Sequence, residues 1–276
     1  MNRFLVTGGC GFIGSNFIKH MIQKYPEYDI TCYDKLTYAG DRKNLSDIDG
    51  YYNNYHFIKG DICDYKKLKQ TIKSLDIDVI VNFAAESPVD NSIENSDEFV
   101  KTTINATHTL LNCLHEFSIT KFIQISTDDV YGPLTEDDEP LTEDTPLAPN
   151  SPYAASKTSA DLLCRSFYET YKYPIIITRC SNNYGPNQHS EKLIPLMIQK
   201  AKNGEKLPVY GDGRNIRDWI HVQDHCEAID TVLHNGRNGE VYNIGGQDER
   251  RNIEIVNTII DKMGGEIEYV DDRKGH

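Results

Sequence analysis

Thr7-Gly8-Gly9-Cys10-Gly11-Phe12-Ile13-Gly14 is the stretch that decides the fold of this chain. It begins at the end of an apolar run, 3–7, and leads into an amphipathic stretch near 12–24. Glycines in such a turn let the backbone approach a pyrophosphate closely, and the N-terminus of the following helix offers N–H groups and a partial positive charge. The stretch therefore predicts a strand–turn–helix unit that binds a dinucleotide.

Short β-rich runs alternate with amphipathic runs as far as residue 180. We expect strands at 3–7, 29–33, 55–59, 78–83, 121–126 and 174–178, and helices near 12–24, 64–74, 97–117 and 152–171. This alternation is typical of βαβ units and a parallel sheet. The sequence predicts an α/β fold, a Rossmann-type doubly wound parallel sheet, with the dinucleotide-binding domain at 1–180.

The rhythm of the sequence changes after residue 180. Residues 182–187 are interpreted as a long turn. A helix near 191–203, strands at 207–210, 216–220 and 240–244, a helix at 223–235 and a terminal helix and strand follow. We expect a smaller substrate-binding lobe at 181–276, with elements near 216–244 returning to the main sheet. The polar loop 132–150 is expected to lie at the surface.

Composition argues against several classes of protein. The 276 residues carry a formal net charge of −13, which makes nucleic acid an unfavourable partner. The sequence has neither the ~18 consecutive apolar residues of a membrane span nor a signal-peptide layout. Its seven cysteines show no metal or redox spacing, so we expect reduced thiols, no metal and a cytoplasmic location.

Residues at the ends of the predicted strands indicate which dinucleotide binds. Asp34 lies twenty residues after Gly14, where a carboxylate binds the ribose hydroxyls and repels a 2′-phosphate. NAD is therefore favoured over NADP, although the neighbouring Lys35 can soften that preference. Asp61-Ile62 is placed to meet the adenine, and Phe83-Ala84-Ala85 offers small residues beside the cofactor.

Two further stretches carry the chemistry. Tyr153-Ala154-Ala155-Ser156-Lys157 places a lysine on the same helical face as a tyrosine, four residues later. Its positive charge is expected to lower the tyrosine pKa, which is ordinarily about 10. Thr127-Asp128-Asp129 follows strand 121–126, and two adjacent carboxylates act as acid and base when their environments separate their pKa values. The pattern predicts a redox enzyme that also eliminates water.

These stretches resemble the extended short-chain dehydrogenase/reductase family and, within it, the dTDP-glucose 4,6-dehydratases. The resemblance is also carried by Tyr33-Asp34-Lys35-Leu36-Thr37-Tyr38-Ala39-Gly40, Ala84-Ala85-Glu86-Ser87, Arg179-Cys180-Ser181-Asn182-Asn183-Tyr184-Gly185-Pro186, Glu191-Lys192-Leu193-Ile194-Pro195 and Arg217-Asp218-Trp219-Ile220-His221-Val222. It runs through the whole chain to Asp272-Arg273-Lys274-Gly275-His276.

The resemblance implies a role for each reacting residue. Tyr153 would remove the proton from the hydroxyl on carbon 4 of the glucose while NAD accepts a hydride. Lys157 would tune Tyr153, and Thr127 would hydrogen-bond near the reacting hydroxyl. The residue at 129 would take the proton from carbon 5, and Asp128 would protonate the leaving hydroxyl on carbon 6. Return of the hydride to carbon 6 would give a 4-keto-6-deoxy sugar nucleotide.

The resemblance also implies the binding residues and a homodimer formed through helices 97–117 and 152–171. The cofactor positions are Gly8, Gly11, Phe12, Ile13, Gly14, Asp34, Lys35, Leu36, Thr37, Asp61, Ile62, Phe83, Ala84, Ala85, Ser87, Thr102, Tyr153, Lys157 and Asn183. The substrate positions are Ser87, Thr127, Asn182, Lys192, Leu193, Pro208, Tyr210, Arg217, Asn252, Arg273 and His276. Three of these, at 192, 217 and 273, supply cations for an anionic nucleotide.

Three departures from the family pattern have consequences. Asp129 stands where the family has Glu, which shortens the reach of the carboxylate by roughly 1.5 Å. We expect slower proton removal from carbon 5. Pro88 stands where the family usually has His, and relatives usually continue past the position of His276, so the lobe is expected to be short at its C-terminus.

Other hypotheses stay open from the sequence. A nucleotide-sugar 4-epimerase would use the same Tyr153 and Lys157 without needing the acid/base pair after Thr127. A decarboxylase would act on a sugar that carries a carboxylate, and a catalytically weak NAD-binding protein could share the fold. The base of the nucleotide, thymine or uracil, is also open, so UDP-glucose is an alternative substrate.

Overall fold

The computed structural model describes residues 2–87, 89–133 and 138–271. Its strands are β1 (Arg3–Thr7), β2 (Asp29–Asp34), β3 (Tyr55–Lys59), β4 (Val79–Asn82), β5 (Lys121–Thr127), β6 (Ile175–Cys180), β7 (Asn182–Tyr184), β8 (Leu207–Tyr210), β9 (Ile216–His221), β10 (Val241–Ile244), β11 (Glu249–Arg251) and β12 (Ile267–Val270). Its α-helices are α1 (Phe12–Lys24), α2 (Tyr65–Leu75), α3 (Val89–Glu94), α4 (Asp97–Phe99), α5 (Ala106–Cys113), α6 (Pro152–Tyr171), α7 (Leu193–Lys202), α8 (Val222–Asn235) and α9 (Asn252–Met263).

Seven parallel strands form the main sheet in the order β10-β6-β5-β4-β1-β2-β3. Their apolar side chains are buried towards both faces, as expected for a sheet covered by helices on either side. The strand order reverses between β1 and β4, and open α/β sheets bind ligands at the carboxyl ends of the strands beside such a point. The predicted Rossmann-type fold is confirmed.

Helices cover the two faces of the sheet and form two separate cores. On one face α1 and α8 pack together, with Phe17 and Ile229 among their buried residues. On the other face α2, α5 and α6 contribute Leu68, Leu110 and Cys164. The helix that follows the glycine-rich turn and the helix that carries Tyr153 therefore lie on opposite faces of the sheet.

The chain beyond residue 180 forms two smaller sheets. β11, β9 and β7 make a three-stranded sheet, and β12 pairs with β8 in parallel. α7 and α9 pack with β8 around a third core that includes Met197, Val209 and Val256. β10 returns to the main sheet beside β6, whereas β9 pairs with β7 and β11. The division of the chain at residue 180 into two domains stays a prediction.

Two sequence-based predictions of local structure were wrong. The predicted turn at 182–187 begins with β7, because this segment pairs in parallel with 219–221 of β9, a partner far away in the sequence. The predicted helix 97–117 is not continuous. A π-helical turn, Val100–Asn105, separates α4 from α5, and α5 ends at Cys113. β11 was not predicted.

All seven cysteines lie among the described residues and are unbonded, six of them buried and Cys63 partly exposed. The expectation of reduced core thiols agrees with this. Searched over residues 2–87, 89–133 and 138–271, the helices include none with the length and apolar character needed to cross a membrane.

Candidate active site

The glycine-rich turn is built so that a backbone-lined cradle lies at the start of α1. Gly8 has a φ of +67°, and a Cβ at this residue would lie 2.6 Å from the backbone nitrogen of Ala84. A Cβ at Gly14 would lie 2.5 Å from the carbonyl oxygen of Gly8. The cap of α1 is Gly11, so bare backbone is presented to a ligand at this helix N-terminus. This arrangement fits a pyrophosphate.

The carboxylate of Asp34 lies at the end of β2, beside the same turn. Its Oδ2 accepts a hydrogen bond from the backbone N–H of Cys10 at 2.9 Å, and its Oδ1 accepts one from Leu36 at 2.7 Å. Burial raises the pKa of Asp34, while these two N–H donors oppose the shift. The backbone thus fixes the carboxylate where the ribose of a bound dinucleotide is expected.

The structure shows whether the charge of Lys35 is available to attract the 2′-phosphate of NADP. Its Nζ lies 2.9 Å from Oδ2 of Asp61 in an ion pair. The pair compensates the positive charge that would otherwise attract a 2′-phosphate, so the surroundings of Asp34 favour NAD over NADP. Asp61 itself follows β3 and is held by a backbone hydrogen bond from Cys63 at 2.9 Å.

The remaining predicted cofactor positions surround these groups. Phe83, Ala84 and Ala85 follow β4, and the backbone of Phe83 and Ala84 occupies the space that a Cβ on Gly8 would need. Thr102 lies in the π-helical turn, whose Lys101 carbonyl accepts from the thiol of Cys63 at 3.4 Å. The other predicted cofactor positions lie in the glycine-rich turn, at the start of α1 or just after β2, β3 and β4. They are Phe12, Ile13, Leu36, Thr37, Ile62 and Ser87.

The two adjacent carboxylates lie on a 3₁₀ turn, Asp128–Tyr131, that directly follows β5. Thr127 caps this turn, and its Oγ1 lies 3.3 Å from Oδ1 of Asp128 and 3.3 Å from Oδ2 of Asp129. The two side chains differ in exposure: Asp128 is half-buried, whereas Asp129 is exposed. They therefore have the different environments that separate an acid from a base.

Burial and the neighbouring charge of Asp129 raise the pKa of Asp128 to about 7, against opposing contributions from Thr127 and Arg217. A carboxyl group with this pKa holds its proton for much of the time at neutral pH. Asp128 is thus able to donate a proton to a leaving group, which an ordinary aspartate with a pKa of about 3.9 is not.

Tyr153 and Lys157 lie in the first turns of α6. The helix begins as the sequence predicts, with Ser151 as its cap, accepting from the N–H of Ala154 at 3.1 Å, and Pro152 in the first turn. The backbone N–H of Tyr153 donates to Oγ of Ser92 at 3.2 Å. Helix α6 is thereby anchored to α3.

The sequence-based expectation that Lys157 lowers the pKa of Tyr153 was wrong for this chain without bound cofactor or substrate. Burial raises the pKa of Tyr153 well above its usual value, and the charges of Asp129, Cys180 and Asp128 act in the same direction, while Thr127 opposes them. The ammonium of Lys157 donates to the carbonyl of Ile125 at 2.7 Å. Tyr153 is therefore a neutral phenol in the structure.

The predicted substrate positions lie on several elements of the fold. Ser87 Oγ lies 3.1 Å from the hydroxyl of Tyr38, and its carbonyl accepts from Nζ of Lys192 at 3.3 Å. Arg217 lies near enough to Asp128 to counter its pKa shift. Leu193, Pro208, Tyr210 and Asn252 stand on α7, β8 and α9, which pack around one core. Arg273, His276 and the unusual Pro88 lie outside the described residues.

No pattern in the sequence pointed to the histidine that holds Asn183. His225 is fully buried on α8, and its Nδ1 lies 2.8 Å from Oδ1 of Asn183. Burial lowers the pKa of His225 to about 4, so the ring is neutral. The Nδ2 of Asn183 donates to the carbonyl of Ser181 at 2.9 Å, and the amide is thereby oriented. Asn182 precedes it on β7.

Comparisons with known proteins agree with this geometry. The model of the GDP-mannose 4,6-dehydratase family matches residues 5–276. A protein of Haloferax volcanii, the low-salt glycan biosynthesis protein Agl12, is 51% identical over 99% of this chain and 87% of its own length. A dTDP-glucose 4,6-dehydratase of Xanthomonas campestris is 45% identical over 100% of this chain and 84% of its own.

A solved structure gives the same result. The dTDP-glucose 4,6-dehydratase of Bacillus anthracis, crystallised in complex with NAD, matches with a TM-score of 0.92 and 51% identity. The match covers 100% of this chain and 86% of that one. Since the family model and the relatives all span nearly the whole sequence, this chain belongs to the nucleotide-sugar 4,6-dehydratases of the extended short-chain dehydrogenase/reductase family.

Proposed function

We propose that this chain converts dTDP-glucose into dTDP-4-keto-6-deoxyglucose and water, with NAD as a bound cofactor. The observation that carries the proposal is the turn after β5, where Asp128, with a pKa raised to about 7, stands beside the exposed Asp129 and close to Tyr153. NAD, when bound, accepts a hydride from the sugar and later returns it. The NAD complex of the Bacillus anthracis relative supports this cofactor.

The first step is oxidation at carbon 4. Thr127 and Tyr153 bind the hydroxyl on this carbon. Tyr153 first releases its own proton to solvent, and the phenolate then takes the proton of this hydroxyl as the hydride leaves. A phenolate must form for a moment in a buried site, and Lys157 is the cation that α6 supplies for it. The charge of Lys157 is in turn supported by Asp161, which counters the lowering of the Lys157 pKa by burial.

The second step is elimination of water. A ketone at carbon 4 acidifies the proton on carbon 5, and Asp129 removes that proton. Asp128 donates its own proton to the hydroxyl on carbon 6, so the carbon–oxygen bond breaks and water leaves. A hydride then adds to carbon 6 and a proton returns to carbon 5 from Asp129, which leaves the 4-keto-6-deoxy sugar.

Recognition of the nucleotide is proposed to divide between the two parts of the chain. Residues 1–180 supply most of the groups that hold NAD and the reacting groups Thr127 and Tyr153, and residues 181–276 supply most of the groups that hold the nucleotide, around α7, β8, β9 and α9. Lys192 and Arg217 supply positive charge for the diphosphate, which a chain of net charge −13 needs locally. Arg273 and His276 belong to the same proposal on the resemblance alone.

Mass analysis after incubation with dTDP-glucose and with UDP-glucose tests this proposal. Loss of one water from dTDP-glucose supports it. A sugar nucleotide of unchanged mass whose proton NMR spectrum shows inversion at carbon 4 would instead identify a 4-epimerase. Faster dehydration of UDP-glucose than of dTDP-glucose would show that the preferred base is uracil. A chain that binds NAD and leaves both sugars unchanged would be the catalytically weak protein that the sequence left open.

Lengthening the base tests the departure at position 129. An Asp129→Glu variant is expected to speed proton removal from carbon 5 by up to about a hundredfold, because a carboxylate misplaced by about 1 Å costs that much in rate. Oxidation at carbon 4 should change little. The measurement is uptake of solvent deuterium at carbon 5 during single turnovers, with the exposed Asp144→Glu as a control. An unchanged deuterium uptake rate would show that this chain compensates for the shorter side chain elsewhere.

The chain is proposed to form a homodimer through α5, α6 and the turn before α5, in the reducing cytoplasm. Unusual apolar exposure supports the interface: Leu162 is 51% exposed, Tyr171 50% and Val100 45%. Such exposed apolar side chains on adjoining helices are typical of association sites. The unbonded, mostly buried cysteines support the compartment.

Placing a charged side chain in the proposed α5–α6 interface tests whether the chain forms this dimer. A Leu162→Arg variant is expected to raise the dimer dissociation constant at least about a hundredfold, because burying an unpaired charge costs on the order of 3–5 kcal/mol. Sedimentation velocity over a range of concentrations measures the change. Tyr269→Arg, at a side chain 62% exposed on β12, is the matched control and should leave the dimer intact. A wild-type protein that sediments as a monomer would contradict the interface.

A further inference from the structure

Three buried polar side chains form a connected group beneath the proposed reacting residues. The side chains are Arg179, Asp161 and Tyr131, and they are only 6%, 1% and 5% exposed as residues. Taking an ion pair out of water costs several kcal/mol, and apolar residues of similar volume are often no less stable. A contribution to stability is therefore a weak explanation for this buried group. Its position in the fold suggests a role in the active site instead.

Each member of the group stands on a segment that carries part of the active site. Asp161 lies one helical turn after Lys157, on the same face of α6. Arg179 lies on β6, opposite Ser126 in the register and one residue before Cys180, which pairs with Thr127. Tyr131 is the last residue of the 3₁₀ turn that begins with Asp128 and Asp129.

The guanidinium of Arg179 joins these segments directly. Its Nε donates to Oδ2 of Asp161 at 3.0 Å, and its Nη1 donates to the hydroxyl of Tyr131 at 2.8 Å. The hydroxyl of Tyr131 in turn donates to Oδ1 of Asn243 on β10 at 2.8 Å. The guanidinium carbon also lies 4.9 Å from the centre of the Tyr131 ring. A planar guanidinium presents its donors in a fixed geometry, so both partners are held at set positions.

We propose that Arg179 is a positioning residue, which fixes the acid/base turn through Tyr131 against the helix that carries Tyr153 and Lys157 through Asp161. The proposal rests on the proposed function, because it assigns elimination to Asp128 and Asp129. Thr127 belongs to β5 and Tyr153 to α6, so the oxidation at carbon 4 does not depend on the turn. A displaced turn therefore slows elimination selectively.

The size of the effect follows from the tolerance of proton transfer to misplacement. A displacement of about 1 Å at a reacting group costs on the order of a hundredfold. Loss of the Tyr131 hydroxyl leaves the ring and its contact with the guanidinium in place, so a smaller displacement is expected. We expect elimination to fall about tenfold to a hundredfold while the rate of oxidation at carbon 4 stays within about threefold.

The experiment compares Tyr131→Phe with Tyr25→Phe in the full-length enzyme with bound NAD. The control removes a hydroxyl that donates to the buried carboxylate of Asp230 at 3.0 Å, between α1 and α8 and remote from the acid/base turn. Single turnovers with dTDP-glucose give the rate of oxidation at carbon 4 and the rate of water loss. Hydrogen exchange of the peptide that contains residues 128–132 measures the order of the turn without any substrate.

The expected result is slower water loss with nearly normal oxidation, together with faster hydrogen exchange in the turn, in Tyr131→Phe alone. Arg179→Lys should also speed hydrogen exchange in the turn, because an ammonium cannot supply both bonds of the guanidinium. Equal slowing of both steps, or unchanged exchange in the turn, would overturn the proposal. A wild-type enzyme that leaves dTDP-glucose intact would refute the proposed function instead, and hydrogen exchange would still decide whether Tyr131 orders the turn.

Discussion

A Tyr153→Phe variant is expected to turn over dTDP-glucose between about 10² and 10⁴ times more slowly than the wild type, which is the contribution of a positioned acid or base. The substitution removes one oxygen and leaves the ring, whose edge-to-face contact with Phe99 has a centroid distance of 6.3 Å. Oxidation at carbon 4 comes first, so the ketone that acidifies carbon 5 never forms at a useful rate. Water loss and deuterium uptake at carbon 5 should therefore fall together.

The control for this variant is Tyr168→Phe on the same helix, which removes a hydroxyl near the opposite end of α6 from Tyr153. It should turn over dTDP-glucose at the wild-type rate. Binding of NAD, measured by calorimetry, should be retained in both variants, because the glycine-rich turn and Asp34 are untouched. Turnover by Tyr153→Phe within a few-fold of the wild type would exclude the phenol as the base and leave oxidation to another group.

The sheet was predictable because its strands are continuous apolar runs. Strands buried on both faces need such runs; β1 lies at 3–7 as expected, and β4, Val79–Asn82, lies within the expected 78–83. Local signals also placed the start of α6, since Ser151 and Pro152 act within one turn of the chain. The short strands β7 and β11 were missed because their pairing with β9 is decided by partners distant in sequence.

The sequence was enough to propose the residues of the site, but it could not predict their protonation states. A lysine four residues after a tyrosine suggests a lowered tyrosine pKa, whereas burial of the phenol and the nearby carboxylates raise the pKa of Tyr153. The sequence does not distinguish the roles of the two adjacent aspartates, Asp128 and Asp129. Only the fold makes Asp128 half-buried and Asp129 exposed, and only the fold brings His225 to Asn183. The burial of a single polar side chain is set by the assembled structure and leaves no local pattern in the sequence.

An Asp128→Asn variant is expected to oxidise carbon 4 normally and to lose water about 10² to 10⁴ times more slowly, because an amide has no acidic proton for the leaving hydroxyl. Asp129 and Tyr153 remain, so the ketone forms and solvent deuterium still enters at carbon 5. The variant should therefore exchange the proton on carbon 5 without releasing water. Mass analysis of the recovered sugar nucleotide separates the two events.

The dependence on pH gives the same residue a second test. Burial and Asp129 raise the pKa of Asp128 to about 7, so the acid is protonated below that pH and is lost as the pH rises through it. The kcat/KM of the wild type for water loss should accordingly fall on the alkaline side of about pH 7, and Asp128→Asn should lack this fall. The control Asp144→Asn removes an exposed carboxylate that is not among the groups that shift the pKa of Asp128, and it should keep the wild-type profile. If the alkaline fall persists in Asp128→Asn, the proton for the leaving hydroxyl comes from another group, and the asymmetry between the two carboxyls is not what drives elimination.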